Sequence, residues 1–285
     1  MILEYNVCND LLLIRKMLSL SQVDIADALK IDVATIKRIE TSNINPKHDI
    51  VELIYNYAFK KGIKLNNIKE MIYKEENKDN VIIFHGSKTG IEGNISLKKS
   101  RLTNDFGQGF YCGESISQTT SFISRFSDSS IYILNFDKKG LKKAKFNVDQ
   151  NWMLAVAYFR GKLEKYKNHS IIKKIVDKVK SSDYIYAPIA DNRMFMIIDR
   201  FIDGLITDEQ CKHCLAATDL GNQYVFINDK SISRIKIIER CYISKLERDL
   251  YLEKKEADIK DGDNKVKYAM IKYKNEGKYI GEILS

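Results

Sequence analysis

The sequence predicts an α+β fold in two parts: an all-helical N-terminal segment, then a domain that mixes strands and helices. Of the 285 residues, 44% are hydrophobic and 30% are charged, so the chain can bury a core and is not disordered. Residues 1–75 have apolar residues at helical spacing, interrupted by short turns. Downstream, β-branched runs and helical patterns follow each other without strict alternation, which favours α+β over a doubly wound sheet.

Within the first part, three helical patterns follow one another. Ser21 and Asp24 form a predicted capping box that opens the second helix. Asp32 is placed to cap the third helix, whose apolar face carries Val33, Ile36 and Ile39. The opposite face of that helix is polar.

These helices resemble the helix-turn-helix of phage-repressor type over roughly residues 8–60. The hallmark positions are held by Gln22, Ala26, Val33, Ile36, Ile39, Glu40 and Pro46. Lys30 departs from the pattern, because many members have a turn glycine there. The resemblance implies that the third helix enters the major groove of DNA. Gln22 would contact the DNA backbone, Thr35, Lys37 and Arg38 would face the groove, and the protein would pair as a homodimer.

Charge leaves a second interpretation of this segment open. The chain carries a net charge of +9, but residues 1–75 hold 11 Lys or Arg against 10 Asp or Glu. DNA binding by this segment therefore depends on the motif and not on bulk charge. The alternative is a small helical bundle that dimerises or docks a partner.

Composition also bounds the cellular setting. The five cysteines are odd in number and irregularly spaced, which argues against a disulfide framework and favours a reducing, cytoplasmic environment. The N-terminus has no signal-peptide pattern, and no stretch approaches 18 uninterrupted apolar residues, so we expect no membrane span. Heavy use of Lys, Ile and Asn is typical of an AT-rich bacterial genome.

The elements of the second part follow from local patterns. The runs VIIF (81–84), SIYILNF (130–136), DYIYAP, NQYVFI and RIKIIERCYI are predicted strands. Asp149 is a predicted N-cap of a helix with apolar residues at helical spacing, and two more helices are expected at about 191–204 and 207–217. The charged stretches 74–80 and 253–265 are predicted linkers or solvated turns. The predicted domains are therefore 1–75, 80–242 and a charged C-terminal extension, 243–285.

Three motifs in this part carry chemistry. His85 and Gly86 close the first strand, in the sequence FHGS. The loop DFGQGFY ends at Tyr111, and Phe122 follows eleven residues later on a predicted helix. Asn222 and Gln223 begin a late strand.

Together these motifs resemble the diphtheria-toxin-like class of ADP-ribosyltransferases, whose signature is a His, a Tyr and a Glu. HGS, DFGxGFY, PIADNRM and the late NQYVF are also similar to an uncharacterised bacterial family assigned to that fold. The resemblance covers about residues 80–242 and implies a split β-sandwich with helices. The implied substrate is NAD, whose glycosidic bond breaks through an oxocarbenium-like state.

The resemblance also implies roles for single residues. His85 would hydrogen-bond a ribose of NAD, and Gly86, with Ser87 beside it, would present its backbone to the nicotinamide carboxamide. Tyr111 and Phe122 would sandwich the nicotinamide ring by stacking and cation–π attraction. Arg101 would meet the pyrophosphate. Gly107 and Gly109 would let the loop fold tightly beside the nucleotide.

Gln223 is the departure from this signature, since it replaces the usual Glu. A neutral amide orients a ligand but supplies no negative charge to the reacting centre. Asp191, in PIADNRM, would supply that charge, or would simply cap a helix. Gln223 would otherwise suffice for a strong nucleophile, or the domain would bind NAD without catalysis.

The predicted function is ADP-ribose transfer from NAD to a protein, DNA or RNA, in a bacterial toxin, phage-defence or regulatory setting. The alternatives are a regulator that senses a nucleotide and an NAD glycohydrolase. Phe110 is expected in the core, opposite Tyr111. No metal is expected: Cys211 and Cys214 in CKHC read as buried residues on one helix face, because no second ligand pair exists. The lysine run at residues 171–182 is expected to be a solvated helix face, or else a contact to an acidic target.

Overall fold

The computed structural model of the chain describes residues 2–42, 46–217 and 220–285. Its helices are α1 (Val7–Leu18), α2 (Gln22–Leu29), α3 (Val33–Ser42), α4 (His48–Lys60), α5 (Leu65–Glu76), α6 (Ile116–Ile123), α7 (Gln150–Phe159), α8 (Ser170–Lys180), α9 (Asn192–Ile202), α10 (Asp208–Ala216), α11 (Asp229–Ile232), α12 (Lys245–Lys272) and α13 (Ile280–Ile283). Its strands are β1 (Val81–Ser87), β2 (Phe110–Gly113), β3 (Ser130–Phe136), β4 (Lys143–Lys145), β5 (Tyr184–Pro188), β6 (Asn222–Phe226) and β7 (Ile235–Cys241).

The predicted α+β class is confirmed, and local signals explain several helix starts. Ser21 and Asp24 form the expected reciprocal capping box at the start of α2. The Asp149 carboxylate accepts a hydrogen bond from the Trp152 backbone N–H at 2.9 Å and begins α7. The Asp32 carboxylate likewise accepts from the Ala34 N–H at 2.7 Å and begins α3. These caps satisfy backbone donors that a helix leaves unpaired at its first turn.

The interpretation of two charged stretches as linkers or solvated turns is wrong for residues 253–265 and for residues 74–76, whereas residues 77–80 form a turn, as predicted. Helix α5 continues through Glu76, and residues 253–265 lie entirely inside the long helix α12. Lys, Glu and Ala are good helix formers, and the single Gly262 costs only about 1 kcal/mol in a helix interior. An ion pair between Lys265 and Asp261 at 2.6 Å, one turn apart, adds support to α12. High charge density therefore marks an exposed helix here and not a break.

Two compact units result from the contacts along the chain. The first unit comprises residues 1–94, 115–137 and 236–254, and the second comprises 95–114, 138–235 and 255–285. The first unit thus holds α1–α5 together with β1, α6 and β3, so the expected boundary at residues 75–80 does not separate the two units. The predicted domain ranges stay a prediction.

The first unit combines a helical core with strands in the order β1-β3-β7. Leu11, Ile14, Ile25, Ile36 and Ile54 are fully buried among the N-terminal helices. β1 and β3 are antiparallel, with His85 opposite Tyr132. Helix α6 packs against these strands through Ile116 and Ile123.

A buried ionic cluster joins the N-terminal helices of the first unit to β7. The Lys69 ammonium on α5 contacts the Asp10 carboxylate on α1 at 2.5 Å and the Glu239 carboxylate on β7 at 2.6 Å. Tyr55 donates a hydrogen bond to Asp10, and Tyr73 donates one to Glu239 at 2.9 Å. Because breaking a buried ion pair leaves an uncompensated charge, this cluster holds α1, α5 and β7 in one arrangement.

The second unit has strands in the order β4-β5-β6-β2. β4 runs parallel to β5, whereas β5–β6 and β6–β2 are antiparallel. Its core includes Trp152 and Phe201 from the helices and Ala269, Ile280 and Leu284 from the C-terminal residues. The C-terminal residues are therefore part of this unit's core. No helix within the described ranges is long and apolar enough to cross a membrane.

Candidate functional site

In the first unit, the turn between α2 and α3 explains the departure at Lys30. Lys30 has φ 55° and ψ 45°, the left-handed conformation in which glycine is most comfortable. Its backbone N–H bonds to the Ala26 and Asp27 carbonyls, as a helix C-cap does. The backbone geometry expected for a turn glycine is thus present, and lysine adopts it at a modest conformational cost.

Helix α3 has the predicted division between a buried and a polar face. Ile36 and Ile39 are buried, whereas Lys37 and Arg38 are exposed and Thr35 is half-buried. Two cations therefore project from the surface of α3, on the side that was predicted to face DNA. Residues 43–45, which fall within the span of the helix-turn-helix resemblance, lie outside the described ranges.

Gln22 has a partner inside the first unit. Its amide nitrogen donates to Glu40 at 2.6 Å, and the Arg15 guanidinium donates to both oxygens of the same carboxylate, at 2.6 and 2.9 Å. Glu40 thus links α1, α2 and α3. The Gln22 side chain takes part in this internal network, and any contact with DNA adds to that role.

The first unit also contains the His85–Ser87 segment, at the end of β1, and Phe122 on α6. Gly86 is required for packing: a Cβ at this position would lie 2.7 Å from Ile123 Cγ2 and 3.2 Å from Thr119 Cγ2. A side chain there would collide with α6, whatever ligand the backbone meets. Phe122 is half-buried and packs against the cluster that contains Ile123.

In the second unit, the loop before β2 folds around the Tyr111 hydroxyl. That hydroxyl donates to the Gly107 carbonyl at 2.8 Å and accepts from the Phe106 N–H at 3.1 Å. Burial, with Asp105 nearby, raises the pKa of Tyr111, so the phenol stays protonated. Phe110 is buried as expected and packs on Phe226 of β6, with ring centroids 6.4 Å apart.

The loop needs glycine at positions 107 and 109 for two different physical reasons. Gly107 has φ +76°, a conformation that a residue with a side chain seldom adopts. A Cβ on Gly109 would lie 2.9 Å from both the Phe226 carbonyl oxygen and Val225 Cγ1 on β6. The first glycine therefore makes the turn, and the second permits close approach to the neighbouring strand.

Asp105 is the buried charge nearest to Gln223. Its Oδ1 accepts from the Arg160 guanidinium at 3.0 and 2.5 Å, and its Oδ2 accepts from the Ala190 N–H at 3.1 Å. Oδ2 also accepts from Gln223 Nε2 at 2.9 Å. Asp105 and Gln223 are 5% and 6% exposed, so this charged network is shielded from water. It ties the loop, α7 and β6 together.

This network fixes the orientation of the Gln223 amide. Besides Asp105, Nε2 approaches the Pro188 carbonyl oxygen at 3.2 Å. An amide nitrogen has two hydrogens, and both are directed to acceptors of the protein. The carbonyl oxygen Oε1 is therefore the atom left to meet a ligand, and it acts only as an acceptor.

Asp191 caps a helix, which is one of the two roles predicted for it. Its Oδ1 accepts from the Met194 N–H at 2.8 Å and begins α9. The carboxylate beside Gln223 is Asp105, a residue that opens the DFGQGFY motif but was not singled out from the sequence. Only the folded chain brings Asp105 and Gln223 together, because they are 118 positions apart.

A second carboxylate lies at the start of β6. Glu114, which follows β2, accepts from the Asn222 N–H at 3.1 Å and from the Tyr186 hydroxyl at 2.9 Å. It is half-buried, unlike Asp105, and the sequence reasoning missed it. Gly113 pairs with Gln223 across β2 and β6, which is why the next residue reaches Asn222.

Three further residues were considered as ligands in the sequence analysis. Arg101, the expected pyrophosphate ligand, lies on an exposed part of the loop before Asp105. Cys211 and Cys214 are buried on α10, and their sulfurs approach the Ile197 and Val266 carbonyl oxygens at 3.8 and 3.7 Å. Across the described ranges, no group of three or more His, Cys, Asp or Glu side chains is arranged to hold a metal ion.

Residues 81–237 match the model of a family described as a protein of unknown function (DUF3990). The chain belongs to this family. No curated protein and no solved structure gives a significant match. The matched segment begins with β1 and includes His85, Tyr111 and Gln223, whereas α1–α5 precede it.

Proposed function

We propose that this chain is an NAD-dependent ADP-ribosyltransferase that modifies a macromolecule, with a DNA-binding element at its N-terminus. The observation that carries the proposal is the common setting of Tyr111 and Gln223. Gly113 pairs with Gln223 and Tyr111 pairs with Val225 across β2 and β6, so both side chains lie on the same face of adjacent strands. Both are also hydrogen-bonded to residues 105–107.

This setting supports a ligand site with a rigid frame. The Tyr111 hydroxyl is held by two backbone groups, which fixes the position of the ring that is proposed to stack on nicotinamide. The Gln223 amide is held by Asp105 and Pro188, which leaves Oε1 to accept a hydrogen bond from a ribose hydroxyl. A site whose side chains are fixed before the ligand arrives loses little entropy on binding.

The proposed reaction breaks the bond between nicotinamide and the ribose C1′ and forms a bond from C1′ to a nucleophile on the acceptor. Nicotinamide leaves with the electron pair of the broken bond and becomes neutral, and the nucleophile's proton passes to solvent. The charge of Asp105 is shared with Arg160 at 2.5 Å, so stabilisation of the ribosyl cation by this carboxylate is weakened. His85 has the proposed role of orienting the ribose.

The proposed fold is the split β-sandwich of the ADP-ribosyltransferase type. In this proposal the strand groups β1-β3-β7 and β4-β5-β6-β2, which belong to different compact units, would be its two halves. The proposed DNA-binding element is α2 and α3, supported by the exposed Lys37 and Arg38.

A second candidate is a transcriptional regulator that senses NAD or a related nucleotide without catalysis. The neutral Gln223, with its amide nitrogen committed inside the protein, favours this candidate. The N-terminal helices also belong to the same compact unit as β1, a setting in which ligand binding near β1 would be felt by α1–α5.

The deciding experiment incubates the full chain with NAD labelled in the adenylate phosphate, together with cell extract or purified nucleic acids. We expect label on a macromolecule, lost in His85→Ala and Tyr111→Ala. Tyr268→Ala is the matched control, because Tyr268 is 63% exposed on α12, and it should keep full transfer. Nicotinamide release without transfer would indicate a glycohydrolase. Saturable NAD binding with neither outcome would support the sensor.

A further inference from the structure

Two cations of the first unit share one aromatic ring. Lys88 Nζ lies 4.5 Å from the centroid of the Phe126 ring, and Arg125 Cζ lies 4.7 Å from the same centroid. Lys88 and Arg125 are exposed, whereas Phe126 is half-buried and packs against the cluster that contains Ile123. Cation–π attraction therefore holds two positive charges near each other at the surface. We call Lys88 and Arg125 the cation pair.

The cation pair lies next to the segment to which we assign the nucleotide. Lys88 directly follows His85–Ser87 in the chain, and Arg125 comes two residues after the end of α6. Gly86 faces the same helix, since a Cβ at this position would lie 2.7 Å from Ile123 Cγ2. The cation pair and the Gly86 backbone are thus on the side of β1 that meets the end of α6.

The cation pair has no counter-charge among the residues that the structure describes. Within those residues, neither side chain forms an ion pair or donates a hydrogen bond to a protein acceptor. Lys74 differs, because it lies over the Phe84 ring but also pairs with Glu70 at 2.6 Å. An aromatic ring attracts a cation without neutralising its charge. The N–H donors of both members of the cation pair can therefore serve an anion.

The charge balance around the cation pair makes it a local feature. The first unit as a whole holds 19 Lys or Arg against 19 Asp or Glu and is neutral. The carboxylate that follows most closely in the chain is Asp128, which is exposed and accepts a hydrogen bond from the Ser127 hydroxyl at 3.3 Å. Two cations on one side of β1 thus stand out from a balanced surface.

Two simpler explanations of the cation pair are incomplete. Cations are favourable at the C-terminal end of a helix, which would account for Arg125 after α6. The backbone there is already bonded, however, because Ser124 donates to the Thr120 carbonyl and Phe126 donates to the Ile123 carbonyl. Attraction to the ring would account for one cation, but a second cation on the same ring adds repulsion between like charges. A bound anion relieves that repulsion.

We propose that the cation pair binds the pyrophosphate of the dinucleotide whose carboxamide end we assign to Gly86. This inference rests on the proposed function, which supplies the identity of the ligand. A guanidinium matches two phosphate oxygens as a fork, and an ammonium adds a compact point charge. Arg101, the cation assigned to the pyrophosphate from the sequence, belongs to the second unit, so the first unit has phosphate ligands of its own.

The test measures equilibrium binding of two ligands to the full chain. ADP-ribose contains the pyrophosphate and is not consumed by the proposed reaction, whereas nicotinamide riboside has no phosphate. The test variant is Lys88→Gln with Arg125→Gln. The matched control is Lys61→Gln with Lys236→Gln, which removes two exposed cations of the same unit, one of them over the Tyr57 ring at 5.6 Å. Urea unfolding checks that all three proteins are equally stable.

We expect the test variant to bind ADP-ribose about tenfold more weakly than the wild type at low salt. Two exposed charge contacts, each contributing up to about fivefold, give a loss of this size. Because salt screens exposed charges, the loss should shrink to less than about threefold in roughly 0.5 M NaCl. The test variant should bind nicotinamide riboside as the wild type does, and the control variant should bind both ligands normally.

The outcomes separate this inference from the proposed function. Binding of ADP-ribose that is unchanged in the test variant, or weakened equally in the control variant, would overturn the assignment of the pyrophosphate and leave the proposed function standing. An equal loss of ADP-ribose and nicotinamide riboside would also overturn it, because the second ligand has no phosphate to lose. A wild-type chain that binds neither ADP-ribose nor NAD would overturn both proposals.

Discussion

Restoring the glutamate of the ADP-ribosyltransferase signature should damage this protein and not improve it. In Gln223→Glu, a carboxylate oxygen replaces the amide nitrogen that lies 2.9 Å from Asp105 Oδ2 and 3.2 Å from the Pro188 carbonyl oxygen. Two hydrogen bonds to acceptors become repulsive contacts. Gln223 is 6% exposed, so water does little to screen them.

The size of the effect follows from the proton that the new side chain must keep. Two carboxyls this close do not both ionise, so one pKa is raised strongly. Keeping a Glu protonated at pH 7, when its ordinary pKa is about 4.3, costs about 3.7 kcal/mol at 1.36 kcal/mol per pH unit. At pH 5 the same cost is about 1 kcal/mol. The folded variant then holds more protons than the unfolded chain, so its stability falls as the pH rises.

Urea unfolding of the wild type and Gln223→Glu at pH 5 and pH 7 measures this difference. Gln150→Glu is the matched control, because Gln150 Nε2 donates to Asp208 Oδ2 at a similar 3.0 Å but is half-buried. Water screening should keep the cost of that change below about 1 kcal/mol at both pH values. The reasoning fails if Gln223→Glu is as stable as the wild type at pH 7, or if it transfers ADP-ribose faster.

Three further predictions concern the first unit. Gly86→Ala should lower the free energy of unfolding by about 1–3 kcal/mol in urea unfolding. If the 2.7 Å contact with Ile123 is the cause, Gly86→Ala should cost less when it is introduced into Ile123→Ala than into the wild type. Burial raises the pKa of Glu247 from 4.5 to about 7, so the wild type loses stability as the pH rises through that interval. The free energy of unfolding of Glu247→Gln should therefore exceed that of the wild type by up to about 3 kcal/mol at pH 8 and should equal it at pH 4. A difference that does not depend on pH would contradict this. Lys37→Ala with Arg38→Ala should weaken a gel shift of duplex DNA taken from upstream of the gene, and should reduce the slope of log K against log salt by about 2. The free energy of unfolding should change by less than about 0.5 kcal/mol. An unchanged gel shift would remove α3 as the reading helix.

Local signals in the sequence are sufficient for several of the elements and for several site features. Ser21 with Asp24 begins α2, and Asp149 begins α7, as capping chemistry predicts. The β-branched run at Ser130–Phe136 is a strand over the predicted residues. These features depend on side chains within about four positions of each other, so the order of residues alone contains them.

The wrong prediction for residues 253–265 has a physical reason. The charged stretch at 253–265 has the composition of a linker and the propensity of a helix. Its place in α12 is supported by tertiary packing, because Ala269 at the far end of the helix is buried in the core of the second unit. The composition of residues 253–265 does not reveal that packing of Ala269, further along the chain, stabilises a helix there.

By itself the sequence determined the α+β class, the caps and turns, and the residue types at the candidate site. Tertiary structure alone decided which charges meet. Lys69 lies between Asp10 and Glu239, and Gln223 lies beside Asp105, across separations that no sequence period encodes. A buried charge is stable only with a partner within bonding distance, and that distance is a property of the folded chain. The folded chain thereby places the Asp105 carboxylate beside Gln223.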